Sequence, residues 1–339
     1  MKQAVKNSSQ QVKPHLMNPA VRRFKRDWQL HLLAIVPLAW IILFQYVPMY
    51  GAQIAFRAYS IDGGISGSDW VGLKYLVEFF KLPSFGRIVG NTFWLSLYII
   101  IICFPLPILM ALLMNVMRNQ LFKKSVQTIS YIPHFISTVV MVAILRQVTN
   151  PMHGLYGQFY TFLAELEIGS WDVGAWLGLT KNNPTDPFGI PAAFPHLYVW
   201  SAVWQNMGWN TIIYLASLSS VSNELHEAAE IDGASRWKRV LNVDLPAILP
   251  TVGIMLILRM GSLLSVGFEK TFLMQTDLNN RTSEVISTYV YKQGIQKGGF
   301  ENQAFGTAVD LLNNVINCAM LILVNWISKK VSHDEVSLF

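Results

Sequence analysis

Glu227-Ala228-Ala229, Asp232-Gly233-Ala234 and Leu245-Pro246 fall in one polar run, EAAEIDGASRWKRVLNVDLP (227–246), lodged between long apolar segments. Residues of these types at this spacing suit docking rather than bond-making. The run reads as helix, turn, helix. Asn223 is placed to cap the first helix, Glu227 through Ile231 favour helix, Gly233 permits the turn, and Ser235 is placed to cap a second helix ending before Pro246. Ala228, Ala229 and Ala234 leave a low profile that another protein's groove can approach closely, while Arg236, Lys238 and Arg239 face water or an acidic partner. Such a compact projection can receive a mechanical push. The competing reading leaves Glu227 and Asp232 merely solvated and Gly233 a helix stop.

A second set of residues could hold a ligand with apolar faces and many hydroxyls. Trp200, Trp204, Gln205, Asn206, Trp209 and Asn210 lie in one apolar segment, and Asp310, Asn313, Asn314 and Asn317 lie in another. Indole planes cover C–H faces, and amides and carboxylates bond hydroxyls. Tyr131 and His134 flank Pro133 and are counted with this set, although His134 equally suits packing between helices. Trp also gathers at membrane interfaces and Asn bonds helix to helix, so packing competes with ligand contact at every one of these positions. Arg259, Glu269, Lys270 and Asp310 are charges within or near apolar segments, where an unpaired charge is costly. Some of them should pair or face a wet cavity; Glu269 with Lys270 equally suits an interface. His153 and His196 have no metal-ligand spacing, and no metal site is expected.

The elements that must position these residues are membrane spans. Of the 339 residues 52% are hydrophobic and only 14% charged, far below the roughly 25% charged of a soluble domain. Six apolar stretches approach or exceed the ~20 residues needed to cross a bilayer: 30–50, 93–117, 129–148, 197–221, 248–274 and 305–327. Each is expected to be helical, because backbone groups in lipid must be satisfied internally, with Pro105, Pro107 and Pro133 as tolerated breakers. The first stretch is too long for a signal peptide and is kept as an anchor. Cys103 and Cys318 both fall in apolar runs, so no disulfide is expected.

Orientation follows the preference of Lys and Arg in short loops for the cytoplasm. Residues 1–29 hold Lys2, Lys6, Lys13, Arg22, Arg23, Lys25 and Arg26 against Asp27 alone, placing that end inside. Six crossings then put Arg118, Lys123, Lys124, the 222–246 loop and the 329–339 tail inside, with loops 51–90, 149–195 and 275–304 outside. Lys181 is the one base of 149–195, against Glu165, Glu167, Asp172 and Asp186. The 51–90 loop, with Arg57, Lys74, Lys81 and Arg87 against Asp62, Asp69 and Glu78, is a mild exception. The net charge of +6 reflects this orientation rather than a nucleic-acid partner. Residues 63–75, GGISGSDWVGLKY, mix turn residues with Trp70 and Tyr75, as a docking surface would; the competing reading has the loop only cap the helix ends.

The spacing of the 227–246 run, with Pro250 beyond it, resembles the EAA loop of permease subunits in bacterial ABC importers, although Val240 stands where an aromatic is common. YVPMYGAQIAF (46–56), NTFWLSL (91–97), QTISYIPHFIS (127–137), VGFEKTFLM (266–274) and SEVISTYVY (283–291) resemble the branch that handles oligosaccharides released from polysaccharides; Asp310 departs from that branch, where a small residue is usual. The resemblance implies an all-α membrane protein with the six-helix type I importer permease fold in the bacterial cytoplasmic membrane, both termini cytoplasmic. It also implies a homologous second permease, a dimer of ATP-hydrolysing subunits that binds ATP-Mg and receives the loop, and an extracytoplasmic solute-binding protein. This chain shows no phosphate-binding G-x-x-x-x-G-K-[ST], so it is expected to bind no cofactor and to be no enzyme. An ion-coupled secondary sugar transporter is the alternative, though it needs no such loop and no inverted repeat is evident. A membrane-embedded enzyme would need a catalytic cluster that the sequence does not show.

Overall fold

The computed structural model describes residues 26–168, 171–172 and 184–331. The basic residues from Lys2 to Lys25, Lys181 and the 332–339 tail, all used above for orientation, lie outside the described residues. The chain divides into two compact units, Met1–Gln53 and Ile54–Phe339. In the first, helix α1 (Trp28–Ile41) runs on through a π-helical turn, Ile42–Tyr46, into Val47–Met49. Its sequence is apolar on every side, as suits a helix surrounded by lipid.

The second unit is helical apart from two minimal antiparallel ribbons. Strand β1 (Arg57–Ala58) pairs with β2 (Asp69–Trp70), Arg57 opposite Trp70, and β3 (Glu167–Ile168) pairs with β4 (Trp171–Asp172). Helix α2 (Lys74–Lys81) precedes a long helical rod formed by α3 (Phe85–Cys103) and α4 (Pro105–Val116). The rod starts at Phe85 rather than at 93, because the polar residues of its first turns have partners. Arg87 pairs with Glu284 at 2.6 Å, and Asn91 donates to the carbonyls of Arg281 and Glu284. Pro105 does not break it: proline at a first helical position lacks only an N–H that had no partner.

The segment expected as one span over 129–148 is instead bent by 104°. Helix α5 (Gln120–Tyr131), capped by Asn119, ends in a 3-10 turn at Ile132–Phe135. A new helix, α6 (Thr138–Val148), starts after Ser137, whose hydroxyl accepts from Val140 N–H. Pro133 disfavours helical backbone before it, and Ser137 supplies a fresh N-cap; together they fix the bend. Gln205 Nε2 holds the bend by donating to the Ile136 carbonyl at 2.9 Å.

After α7 (Leu155–Glu165) comes the central helix, α8 (Ala193–Ser219), whose 27 residues extend about 40 Å. It packs against α3, α4 and α5. Its crossing with α5 is close enough that a Cβ on Gly208 would collide with the Ser130 backbone. Around its first half Leu95, Met141, Phe194, Tyr198, Val199 and Met274 form one core cluster; around its second half Ala111, Leu112, Tyr214, Leu218, Val240 and Ile248 form another.

The fifth expected span, 248–274, is displaced toward the N-terminus. Helix α9 (Asn223–Ile231) is followed by α10 (Arg236–Arg239), a π-helical turn at Val240–Asp244, and α11 (Leu245–Met260), the last three continuous. The second helix of the polar run therefore does not end before Pro246. Pro246 falls in the first turn of α11, where the wider π-turn before it accommodates a residue without an N–H. Helix α11 stops at Gly261, and Phe268–Met274 is a separate short helix, α12. The non-helical backbone between them is clamped by Asn317, which accepts from Leu264 N–H at 2.9 Å and donates to Ser265 Oγ at 2.9 Å. Helix α13 (Ile286–Tyr291) leads to α14 (Phe300–Val331), which packs against α11 and exceeds the expected 305–327 at both ends.

Among the described residues four helical stretches are long and apolar enough to cross a membrane, Trp28–Phe56, Phe85–Val116, Arg236–Met260 and Phe300–Lys330, and the bent α5–α6 pair makes five. Helix α8 has the length but carries Ser201, Gln205, Asn206, Asn210 and Thr211 along its middle.

Candidate functional site

Two neighbouring features of the second unit carry the candidate chemistry: the projecting turn between α9 and α10, and a cavity beside α8.

The turn is fixed locally. Ser222, not Asn223, caps α9, its hydroxyl accepting from Glu224 N–H at 3.2 Å; Asn223 becomes the first helical residue. Asp232 N–H returns to the Ala228 carbonyl, and Ala234 N–H to that of Ala229. This closure needs a left-handed residue, supplied by Gly233 at φ +76°. Ser235 caps α10 by accepting from Lys238 N–H. Glu227, Ala228, Asp232 and Pro246 are exposed, and Ala229, Ala234 and Leu245 are half-buried. The sequence reading missed Ile231 and Trp237, which stand 86% and 64% exposed beside the turn and give it an apolar surface. Bare indole and sec-butyl groups on a polar turn were the available signal.

Beneath the turn the residues face inward. Arg239 pairs with Glu230 at 2.8 Å, so it serves the turn itself rather than water or a partner. Asp244 is buried in the π-turn; its Oδ1 accepts from Asn115 Nδ2 at 3.1 Å and lies 3.3 Å from His226 Nε2. This clasp ties α9 to the end of α4 and to the start of α11. Val240 packs in the core cluster with Leu112, Tyr214 and Ile248. Its side chain therefore touches the chain's own helices and not the outer surface of the loop.

The cavity, of about 860 Å³, opens between the α3–α4 rod, α8 and α11. Asn206, Trp209 and Asn210 line it together with Phe104, Met255 and Arg259. His134 lies behind them: its ring stacks on Trp209, with centroids 4.4 Å apart and planes 6° apart, and its Nδ1 is 3.1 Å from Asn206 Oδ1. The Asn206 amide N–H goes to the Ala202 carbonyl, which fixes Oδ1 as the acceptor. The bend between α5 and α6 thus presents His134 to α8.

The remaining candidates do not line this cavity. Trp200 and Trp204 are exposed on α8, and Tyr131 is half-buried at the end of α5. Glu269 is exposed in the first turn of α12, while its neighbour Lys270 donates to the Tyr198 carbonyl at 2.8 Å and sits over the Tyr198 ring. Asp310 accepts from Asn314 at 3.4 Å on an exposed face of α14; Asn313, on the same helix, is buried with its Oδ1 unpartnered among the described residues. Asn317 is the backbone clamp already described. No group of His, Cys, Asp and Glu able to hold a metal occurs among the described residues.

A helical membrane protein in which a projecting turn is continuous with a helix beside a cavity has the build of a transport permease. The chain matches the family model of the binding-protein-dependent transport system inner membrane component over residues 103–333, and it belongs to that family. It is 36% identical over 315 residues to Protein LplB of Bacillus subtilis (93% of this chain, 92% of the relative). It is also 36% identical over 307 residues to the polygalacturonan/rhamnogalacturonan transport system permease protein YteP of the same organism (91% and 89%). Among solved structures it resembles a chain of a bacterial alginate ABC transporter in complex with alginate pentasaccharide-bound periplasmic protein, with TM-score 0.79 and 30% identity over 94% of this chain and 99% of that one. The protein is an ABC importer permease of the inner membrane.

Proposed function

We propose that the chain is one of two homologous permeases in an importer of oligosaccharides released from polysaccharides, and that the α9–α10 turn couples it to a separate ATP-hydrolysing subunit. The observation that carries this reading is the continuity from turn to cavity. The α9–α10 turn, the Asp244 clasp, the π-turn and α11 form one connected body, and α11 carries Met255 and Arg259 into the cavity wall. A groove on the ATPase that grips Glu227, Ile231 and Trp237 would move α11 with it. ATP binding then supplies the difference in free energy between the outward- and inward-open states, which the sugar alone does not provide.

The chain crosses the membrane six times in this reading, with α1, the α3–α4 rod, the bent α5–α6 pair, α8, α11 and α14 as spans. Both termini and the coupling turn are cytoplasmic, and the segments before α3 and between α6 and α8 receive an extracytoplasmic binding protein. Sugar passes along Asn206, Trp209 and Asn210, whose indole and amides match C–H faces and hydroxyls. The names of the relatives, which handle polygalacturonan, rhamnogalacturonan and alginate, support a polysaccharide-derived substrate.

The test is capture of the ATPase by the assembled permease pair, with cysteine introduced at Glu227 for cross-linking. Cross-linking to the ATPase and loss of capture by Gly233→Pro, which forbids the positive φ, are expected. Normal capture by Gly233→Pro, or a Glu227 site that labels only from outside the membrane, would overturn the reading.

A further inference from the structure

We infer that Arg259 reads the carboxylate of an acidic oligosaccharide inside the cavity, so that this importer selects uronate-bearing over neutral sugars. This rests on the reading above that the cavity beside α8 is the sugar path.

Three other cations on helices of the second unit have something to hold. Arg87 pairs with Glu284 at 2.6 Å. Arg146 donates to the Leu273 carbonyl at 3.0 Å and lies over the Phe188 ring. Lys270 donates to the Tyr198 carbonyl at 2.8 Å and lies over that tyrosine's ring. The Arg259 guanidinium has no hydrogen bond, ion pair or ring partner among the described residues. It stands in the last turn of α11, a membrane-crossing helix, and its side chain lines the cavity. An unpaired cation within a membrane span is costly, and those that persist face a wet cavity or bind a ligand.

The rest of the lining gives the sign of that ligand. Among the described residues no Asp or Glu lines the cavity and Arg259 is the one charged residue that does, so this lining carries a net positive charge. Asn210, also exposed to the cavity, leaves its side-chain amide free, while Asn206 is held by His134 and Ala202 and Trp209 is held flat by the His134 stack. An oriented indole, two amides and a free guanidinium suit a pyranose ring with hydroxyls and one carboxylate. The guanidinium fork matches the two carboxylate oxygens, which an ammonium group does not. The cavity volume of about 860 Å³ also falls in the range of small-molecule sites, about 300–1,000 Å³.

The experiment measures binding of trigalacturonate and of its fully methyl-esterified form to the complete importer in nanodiscs, for wild type, Arg259→Gln and Arg259→Lys. Esterification removes the charge and keeps the length and the ring hydroxyls. Wild type is expected to bind the acid about 10- to 100-fold more tightly than the ester, and Arg259→Gln to erase that difference by weakening the acid alone. Arg259→Lys keeps charge without the fork, so its preference shrinks and survives; it carries the test if Arg259→Gln fails to assemble. Equal binding of acid and ester by wild type overturns the inference. So does a variant that weakens both equally, which would make Arg259 a packing residue or the partner of a carboxylate on the second permease. If neutral oligosaccharides are carried with ATP and trigalacturonate is not bound, the inference fails while the importer reading stands. If neither acidic nor neutral oligosaccharides are bound or carried, the reading beneath it fails too.

Discussion

Replacing Asp244 by alanine should uncouple ATP hydrolysis from transport without detaching the ATPase. Asp244 is buried under the turn, 3% exposed at its side chain, and one carboxylate oxygen serves both Asn115 and His226. Its removal deprives two partly buried polar groups on two other helices of their acceptor. An unsatisfied group of this kind costs about 1–3 kcal/mol. Shared between fastened and loosened positions of α9, that is about a 5- to 150-fold shift in the balance. The outer face of the turn, with Glu227, Ile231 and Trp237, is untouched, so the ATPase should still dock and hydrolyse ATP. The assay is the ratio of sugar imported to ATP hydrolysed in proteoliposomes holding the whole importer. Asp244→Ala should lower that ratio about fivefold or more. Asp244→Asn, which keeps an oxygen for Asn115, should lower it less. An unchanged ratio in Asp244→Ala, or a lost ATPase, would refute transmission through this clasp.

Two further predictions concern the packing of α8 against α5 and the turn that follows it. Gly208→Ala should lower the thermal unfolding midpoint of the purified permease, because the new Cβ meets the Ser130 backbone; overpacking of this kind costs about 1–3 kcal/mol. An unchanged midpoint would mean that α5 and α8 do not cross so closely. His134→Ala should raise the KM for sugar uptake about tenfold, since it removes the Trp209 stack and the bond to Asn206, and His134→Phe should recover part of the loss. A KM that does not move would detach His134 from the path.

The α9–α10 turn was the most legible part of the sequence because its signals are local. Gly233 at a positive φ and Ser235 as a cap need only the few residues around them, and both are where the spacing put them. The shift from Asn223 to Ser222 as the first cap is a one-residue choice between two good cap residues. Span limits were harder to read, since hydropathy does not register satisfaction at a distance. Arg87 and Asn91 extend α3 because of Glu284 and Arg281, almost two hundred residues later, and Asn317 lets α11 end at Gly261 by capping a distant loop. The cavity set was legible only in part for the same reason. Trp200, Trp204, Trp209, Asn206 and Asn210 share one helix, and only its neighbours decide which of them face the space beside α4 and α11. Asn206, Trp209 and Asn210 do, joined by Arg259, whose charge was visible in the sequence and whose solitude was not.

The central claim is that ATP on a separate subunit drives sugar through this chain. The most direct measurement is uptake of labelled oligosaccharide by proteoliposomes containing both permeases, the ATPase and the binding protein, with ion gradients clamped and ATP supplied or withheld inside. Uptake that requires both ATP and the binding protein is the predicted result. Uptake that continues without ATP while an ion gradient is maintained would contradict the account and identify an ion-coupled carrier.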